Sequence, residues 1–232
     1  MVAKNQLTES IIRNAVHEFV NDGEVELLEE TEKFIEYFDE ENNYERIYYY
    51  PEKIDKEHIR SILLADEKVK EYICIDRLIG FIAYEIDKNA LCVCRNIALI
   101  WEEYDLDIES DVRKQLYQKT YDEYAFEICD DALGTTWVER QIVVINVSEI
   151  KSVSDEFHDN LCHRDFCLGV LSTLFHEFRH LVYECNEILE IGTDQYPMEG
   201  GREENVEEYG NTKAEDAYGK YEDIFLPVEK IA

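Results

Sequence analysis

Basic residues are scarce in this chain of 232 residues: 23 lysines and arginines stand against 54 aspartates and glutamates, for a formal net charge of −31. Such a surface repels phosphate backbones, which excludes direct binding of nucleic acid or of anionic membranes as the expected role. Proline is limited to 3 residues and glycine to 9, and no Ser- or Pro-rich stretch marks a linker. Long hydrophobic runs are missing too, so no segment is expected to span a bilayer. There is no internal repeat and no signal-peptide pattern. Cysteine is present without order: seven residues, at 74, 92, 94, 129, 162, 167 and 185, form no regular framework. An odd count without a signal peptide predicts reduced thiols and a cytoplasmic location.

What is present suffices for a folded unit. Hydrophobic residues make up 45% of the chain, enough for a substantial core at this length. Periodicity predicts that residues 1–130 are mainly helical, with helices over Thr8–Asn21, Glu24–Tyr37, Lys56–Ala65, Lys68–Asp87 and Ser110–Cys129. Tyr48-Tyr49-Tyr50-Pro51 reads as a non-helical connection. The run from Glu24 to Glu45, with Lys33 its only cation, reads as a solvated acidic face. No role for this half is legible, and it is expected to pack on a core formed by residues 131–232. There, Gln141-Ile142-Val143-Val144-Ile145-Asn146-Val147 suits a buried strand by its β-branched composition. Thr135-Thr136-Trp137-Val138 pairs with it across a turn at Glu139-Arg140. The expected class is α+β, mostly helical, with one small sheet.

One stretch carries chemistry. His176-Glu177-Phe178-Arg179-His180 is a His-Glu-x-x-His motif inside a helical pattern. On a helix the two histidines lie one turn apart on one face, so both imidazoles reach a single metal at the roughly 2.0–2.1 Å of a Zn–N bond. Glu177 projects about 100° away, close enough to act as a base without being a ligand. Cys167, Val170, Leu171, Leu174, Phe175, Phe178, Leu181, Val182 and Cys185 form a broad apolar arc from which His176 and His180 point away, toward a cleft.

Two histidines leave zinc under-coordinated, and a catalytic site takes a third protein ligand plus a water. Glu184 and Glu187 lie too far along the same helix, at about 1.5 Å per residue. Gly192, Pro197, Gly200 and Gly201 then read as termination and a loop, followed by a second helix from Arg202 to about Phe225. On a wheel, Val206, Gly210, Asn211, Ala214, Ala217, Tyr218 and Tyr221 define an inward face that contains Glu207. Glu207 is therefore the expected third ligand. Glu203, on the same face nearer the helix start, and Glu204 are the alternatives, and other carboxylates here read as a solvated acidic first turn.

His176-Glu177-x-x-His180 followed by Glu207-x-x-Gly210-Asn211-x-x-Ala214 resembles the zincin metallopeptidases of the gluzincin type, in particular small intracellular minigluzincin-like proteases. The likeness covers about residues 140 to 225. It implies a zincin-like core, with a small sheet packed on the active helix and a following Glu-bearing helix. His176, His180 and Glu207 would hold one Zn(2+) per chain, Glu177 would be the general base, and Asn211 would support a ligand from behind. Gly210 replaces the usual alanine, and Arg179 stands where a small residue is common. Metzincins are disfavoured, because His180 is not followed by a Gly-x-x-His continuation.

The expected function is zinc-dependent hydrolysis of peptide or protein amides, with Glu177 taking a proton from water and passing it to the leaving amine. Tyr183, Tyr218 and Arg202 are the candidate oxyanion donors, and nothing in the sequence selects among them. A peptide or protein substrate is expected, with neither nucleic acid nor membrane as partner. Two other readings compete. One is a non-catalytic acidic interaction protein that mimics the charge of nucleic acid; the other is a degenerate zincin that binds metal without turnover.

Overall fold

The computed structural model describes residues 7–41, 43–103, 107–120, 132–138, 140–157, 162–188 and 202–226. Helix α1 (Glu9–Asp22) opens on Thr8, whose side chain accepts from the Ile11 amide, and closes on Gly23 in the left-handed region. Both are ordinary helix punctuation. Next comes a three-stranded antiparallel sheet of β1 (Val25–Glu30), β2 (Phe34–Asp39) and β3 (Tyr44–Tyr49), in that order. The helix expected over Glu24–Tyr37 is thus a hairpin. Its turn is built by Thr31, whose hydroxyl accepts from the Lys33 and Phe34 amides. Phe34, Ile35, Tyr37 and Phe38 then alternate, with Ile35 and Tyr37 buried, and this period of two overrides the helical appearance of the glutamates.

The expected helix over Lys56–Ala65 stops early. After α2 (Lys56–Ile62), residues Leu63–Ala65 become strand β4. The helix expected over Lys68–Asp87 breaks at Tyr72-Ile73-Cys74, where Ile73 bridges to Phe225; it leaves a 3-10 turn, Lys68–Glu71, and α3 (Ile75–Glu85). Two elements absent from the sequence expectation follow, α4 (Lys88–Val93) and β5 (Asn96–Ile100). Helix α5 (Asp111–Thr120) occupies the first part of the predicted Ser110–Cys129, and the remainder lies outside the described residues.

The predicted strand pair is present as β6 (Gly134–Trp137) and β7 (Ile142–Asn146). They complete a second sheet, ordered β4-β5-β7-β6, in which β4, β5 and β7 are parallel and β6 is an antiparallel edge. Alternation sends Ile97, Leu99, Val143 and Ile145 into the main core, and Ala98, Ile100, Ile142 and Val144 into a smaller core shared with Val112 and Leu116 of α5. Burial on both faces explains why β7 reads as a continuous apolar run. The chain continues through α6 (Val147–Phe157), the long α7 (Cys162–Ile188) and α8 (Arg202–Tyr221). No helix among the described residues is long and apolar enough to cross a membrane.

Gln141 joins the two sheets. It sits at φ 57° in the β6–β7 turn and is 1% exposed. Its carboxamide oxygen accepts from the Ile47 amide at 3.1 Å, and its nitrogen donates to the Ile47 carbonyl at 3.3 Å. The expected boundary at residue 130 runs through the second sheet, which takes β4 and β5 from one side and β6 and β7 from the other. The main core likewise draws on residues from Leu7 to Phe225.

Candidate metal centre

Helix α7 is enclosed on most sides, with β6 against one flank and α8 against another. Along β6 the alternation places Gly134 and Thr136, opposite Ile145 and Val143, on the α7 side of the sheet. A Cβ at position 134 would lie 2.6 Å from Thr173 Cγ2 and 2.8 Å from Glu177 Oε1. Any side chain there would have to displace that carboxylate and the Thr173 methyl. On the α8 flank, a Cβ at Gly210 would stand 2.8 Å from the Ser172 carbonyl oxygen and 3.4 Å from His176 Cβ, so the backbone of α8 lies directly on α7. Val206, Ala214 and Ala217 are buried along the same seam.

Between these flanks three side chains converge. His176 Nε2 and His180 Nε2 are 3.1 Å apart. Glu203 places Oε1 at 3.0 Å from His176 Nε2 and Oε2 at 3.5 Å from His180 Nε2. Four-coordinate zinc with bonds of 2.0–2.1 Å holds neighbouring ligand atoms about 3.3–3.4 Å apart, so this donor set has the size of one such ion. Its chemistry is compatible as well, since two ring nitrogens and a carboxylate oxygen this close together could hold a cation. Among the described residues this is the one group of three or more His, Cys, Asp or Glu side chains so arranged. No protein-family model, curated protein or solved structure matches the chain.

Glu207, the expected third ligand, is exposed and is not in this group. At about 100° per residue, the buried positions Val206, Gly210, Ala214 and Ala217 fall within about 80° of arc; Glu203 lies inside that arc and Glu207 about 20° beyond it. An inward face drawn through Asn211 and Tyr218 lies closer to Glu207, yet Asn211 is exposed and Tyr218 only half-buried. Asn211 accepts a hydrogen bond from Ser172 Oγ at 2.7 Å, one turn before His176, and so ties the two helices together.

Glu177 is 5% exposed, with Oε1 4.0 Å from His176 Nε2. Thr136 Oγ1 lies 2.8 Å from its other carboxylate oxygen, Oε2, and 2.9 Å from its carbonyl oxygen. Burial pushes the Glu177 carboxyl up to about 7; the hydrogen bond from Thr136 opposes that rise and the Glu203 carboxylate reinforces it. Gly134 and Thr136 were not singled out in the sequence. The available signal was the alternation of a strand next to the motif helix, which places every second residue against it.

The candidate oxyanion donors are dispersed. Tyr183 is buried with the Arg179 guanidinium 5.5 Å from its ring centre, and Arg179 also stacks over Tyr209 at 4.5 Å. The bulky residue at position 179 is thus accommodated by aromatic faces. Tyr218 sits beside Arg164 and Glu222, about 18 Å along α7 from the level of His176 at 1.5 Å per residue. Arg202 begins α8, and its side chain lies outside the described residues.

Proposed function

We propose that the chain is a zinc-dependent metallopeptidase with a zincin-like core of the gluzincin type, using Glu203 where Glu207 was expected. The observation that carries this reading is the convergence of His176, His180 and Glu203 beside a buried, oriented Glu177. When bound, zinc supplies Lewis acidity, lowering the pKa of water and polarising a carbonyl. The two histidines and Glu203 would hold the ion. Glu177, with Oε2 engaged by Thr136 and Oε1 on the side of His176, takes the proton of the attacking water and delivers it to the leaving amine. A carboxyl titrating near neutrality suits both halves of that transfer. Strand β6 presents the edge of its sheet beside Glu177, where an extended peptide can add as a further strand. The net charge favours a peptide over a phosphodiester as substrate.

The test begins with protein purified without chelator or affinity tag, which should contain about one zinc per chain. Wild-type protein should cleave members of a quenched fluorescent peptide library, and Glu177→Gln should retain zinc while losing about two orders of magnitude or more in rate. Absence of zinc would overturn the metal centre and favour an acidic interaction protein. Zinc without cleavage by the wild type would leave a metal-binding protein without turnover, and equal cleavage by Glu177→Gln would remove Glu177 as the base.

A further inference from the structure

In the three-stranded sheet Ile35, Tyr37 and Asp39 stand opposite Tyr48, Arg46 and Tyr44, so these six side chains share one face. Helix α1 packs on that face, joining Ile12 and Val16 to Ile35 and Tyr37 in the main core. Where the helix ends at Gly23, a cavity of about 760 Å3 opens between it and the β2–β3 turn. Its volume is that of a small-molecule site. Phe19, Tyr37 and Tyr44 line it; Phe19 and Tyr44 are half-buried, and Tyr37, 2% exposed, lies beneath them as the floor.

The charges on this cavity are of one sign. Glu24, Asp39, Glu40 and Glu41 line it, and no lysine, arginine or histidine does. Asp39 is engaged with the Tyr44 hydroxyl, whereas the carboxylates of Glu24, Glu40 and Glu41 enter no ion pair among the described residues. Arg46 lies behind the rings, 4% exposed, with its guanidinium 4.9 Å from the centre of the Tyr44 ring, and so offsets one of the four negative charges. Helix α1 adds the negative end of its dipole, and its last turn carries no basic residue to balance it. Carboxylates at a surface attract any cation, but aromatic faces beside them favour one whose charge is spread over methyl groups, which pack on rings while the charge meets their negative faces.

We propose that this cavity binds a methylated ammonium group. Its methyls pack against Phe19 and Tyr44, and Glu24, Glu40 and Glu41 balance its charge. Small molecules and modified lysine side chains both carry such a group, and the experiment separates the two. The site is independent of the peptidase reading.

Choline is the probe, titrated into the full chain and followed by heat of binding and by the ring-current shift of its methyl protons. Saturable binding with an upfield methyl shift is expected, at least about tenfold tighter than that of its uncharged isostere, in which carbon replaces the nitrogen, and tighter than that of ammonium, which lacks the methyls. Phe19→Leu keeps an apolar side chain and removes a ring, and Glu24→Gln combined with Glu41→Gln removes two exposed charges. Each should weaken choline about fivefold. Glu52→Gln combined with Glu57→Gln removes the same charge from exposed positions around α2 and should leave binding unchanged. Tighter binding of an otherwise neutral peptide bearing trimethyl-lysine than of choline assigns the group to a protein side chain, and the reverse assigns it to a small molecule. No saturable binding of choline or of the peptide at millimolar concentration overturns the proposal. Equal binding of the uncharged isostere does so as well, as does equal weakening by the two glutamate pairs, which would reduce the effect to general charge attraction.

Discussion

At the scale of single residues, the proposed centre depends on which acid of α8 reaches the two histidines. Glu203 and Glu207 are one turn apart, and the choice between them turns on some tens of degrees of helix rotation. Loss of groups that merely orient a ligand typically costs 10–100-fold in metal affinity. Glu203→Ala should therefore weaken zinc binding by about tenfold or more, with Glu204→Ala and Glu207→Ala much milder, as ranked by titration against a competing chelator. If Glu207→Ala is the most damaging, α8 is rotated from the position described. The histidine pair and the adjacent glutamate were legible because their spacing alone fixes their geometry on a helix. Thr136 and Gly134 were not, because what seats Glu177 is a strand about forty residues upstream, and only the sheet register brings it to α7.

At the scale of elements, the seam between α7 and α8 determines whether Glu203 arrives. Gly210 and Gly219 both lie within α8, but a Cβ at 210 meets the Ser172 backbone at 2.8 Å whereas one at 219 meets nothing within 4 Å. Alanine in a helix gains about 0.5–1 kcal/mol over glycine, and overpacking a tight contact costs about 1–3 kcal/mol. Gly219→Ala should accordingly raise thermal stability, and Gly210→Ala should lower it by about 1 kcal/mol while weakening zinc binding. Stabilisation by both changes would show that the helices are not in backbone contact. The same contrast accounts for how legible the elements were. Helix α1 carries its own caps, and β7 its own β-branched run, so both were read from local sequence. The β1–β2 hairpin is rich in glutamate, and β4 and β5 are short. Their state is settled by partners distant in the chain, which a local pattern does not contain.

For the molecule as a whole, the two halves separated by the expected boundary share a sheet and a core, so the helical appearance of the first half concealed strands that the second half requires. The tie between the sheets is Gln141, whose side chain behaves like a one-residue strand laid along β3. Because antiparallel pairs alternate, Ile47 turns its N–H and C=O away from β2 and gives both to that side chain, whereas the neighbouring Arg46 and Tyr48 amides face β2. Amide exchange therefore separates two events that a melting curve merges. Deuterium uptake at Ile47 reports the parting of the sheets, and uptake at Arg46 and Tyr48 reports the opening of the hairpin. A net hydrogen bond of about 1 kcal/mol corresponds to roughly fivefold in protection, so Gln141→Ala should accelerate exchange at Ile47 by about that factor and leave its two neighbours unchanged. Uniform acceleration at all three would mean that the sheets open together, as one cooperative unit.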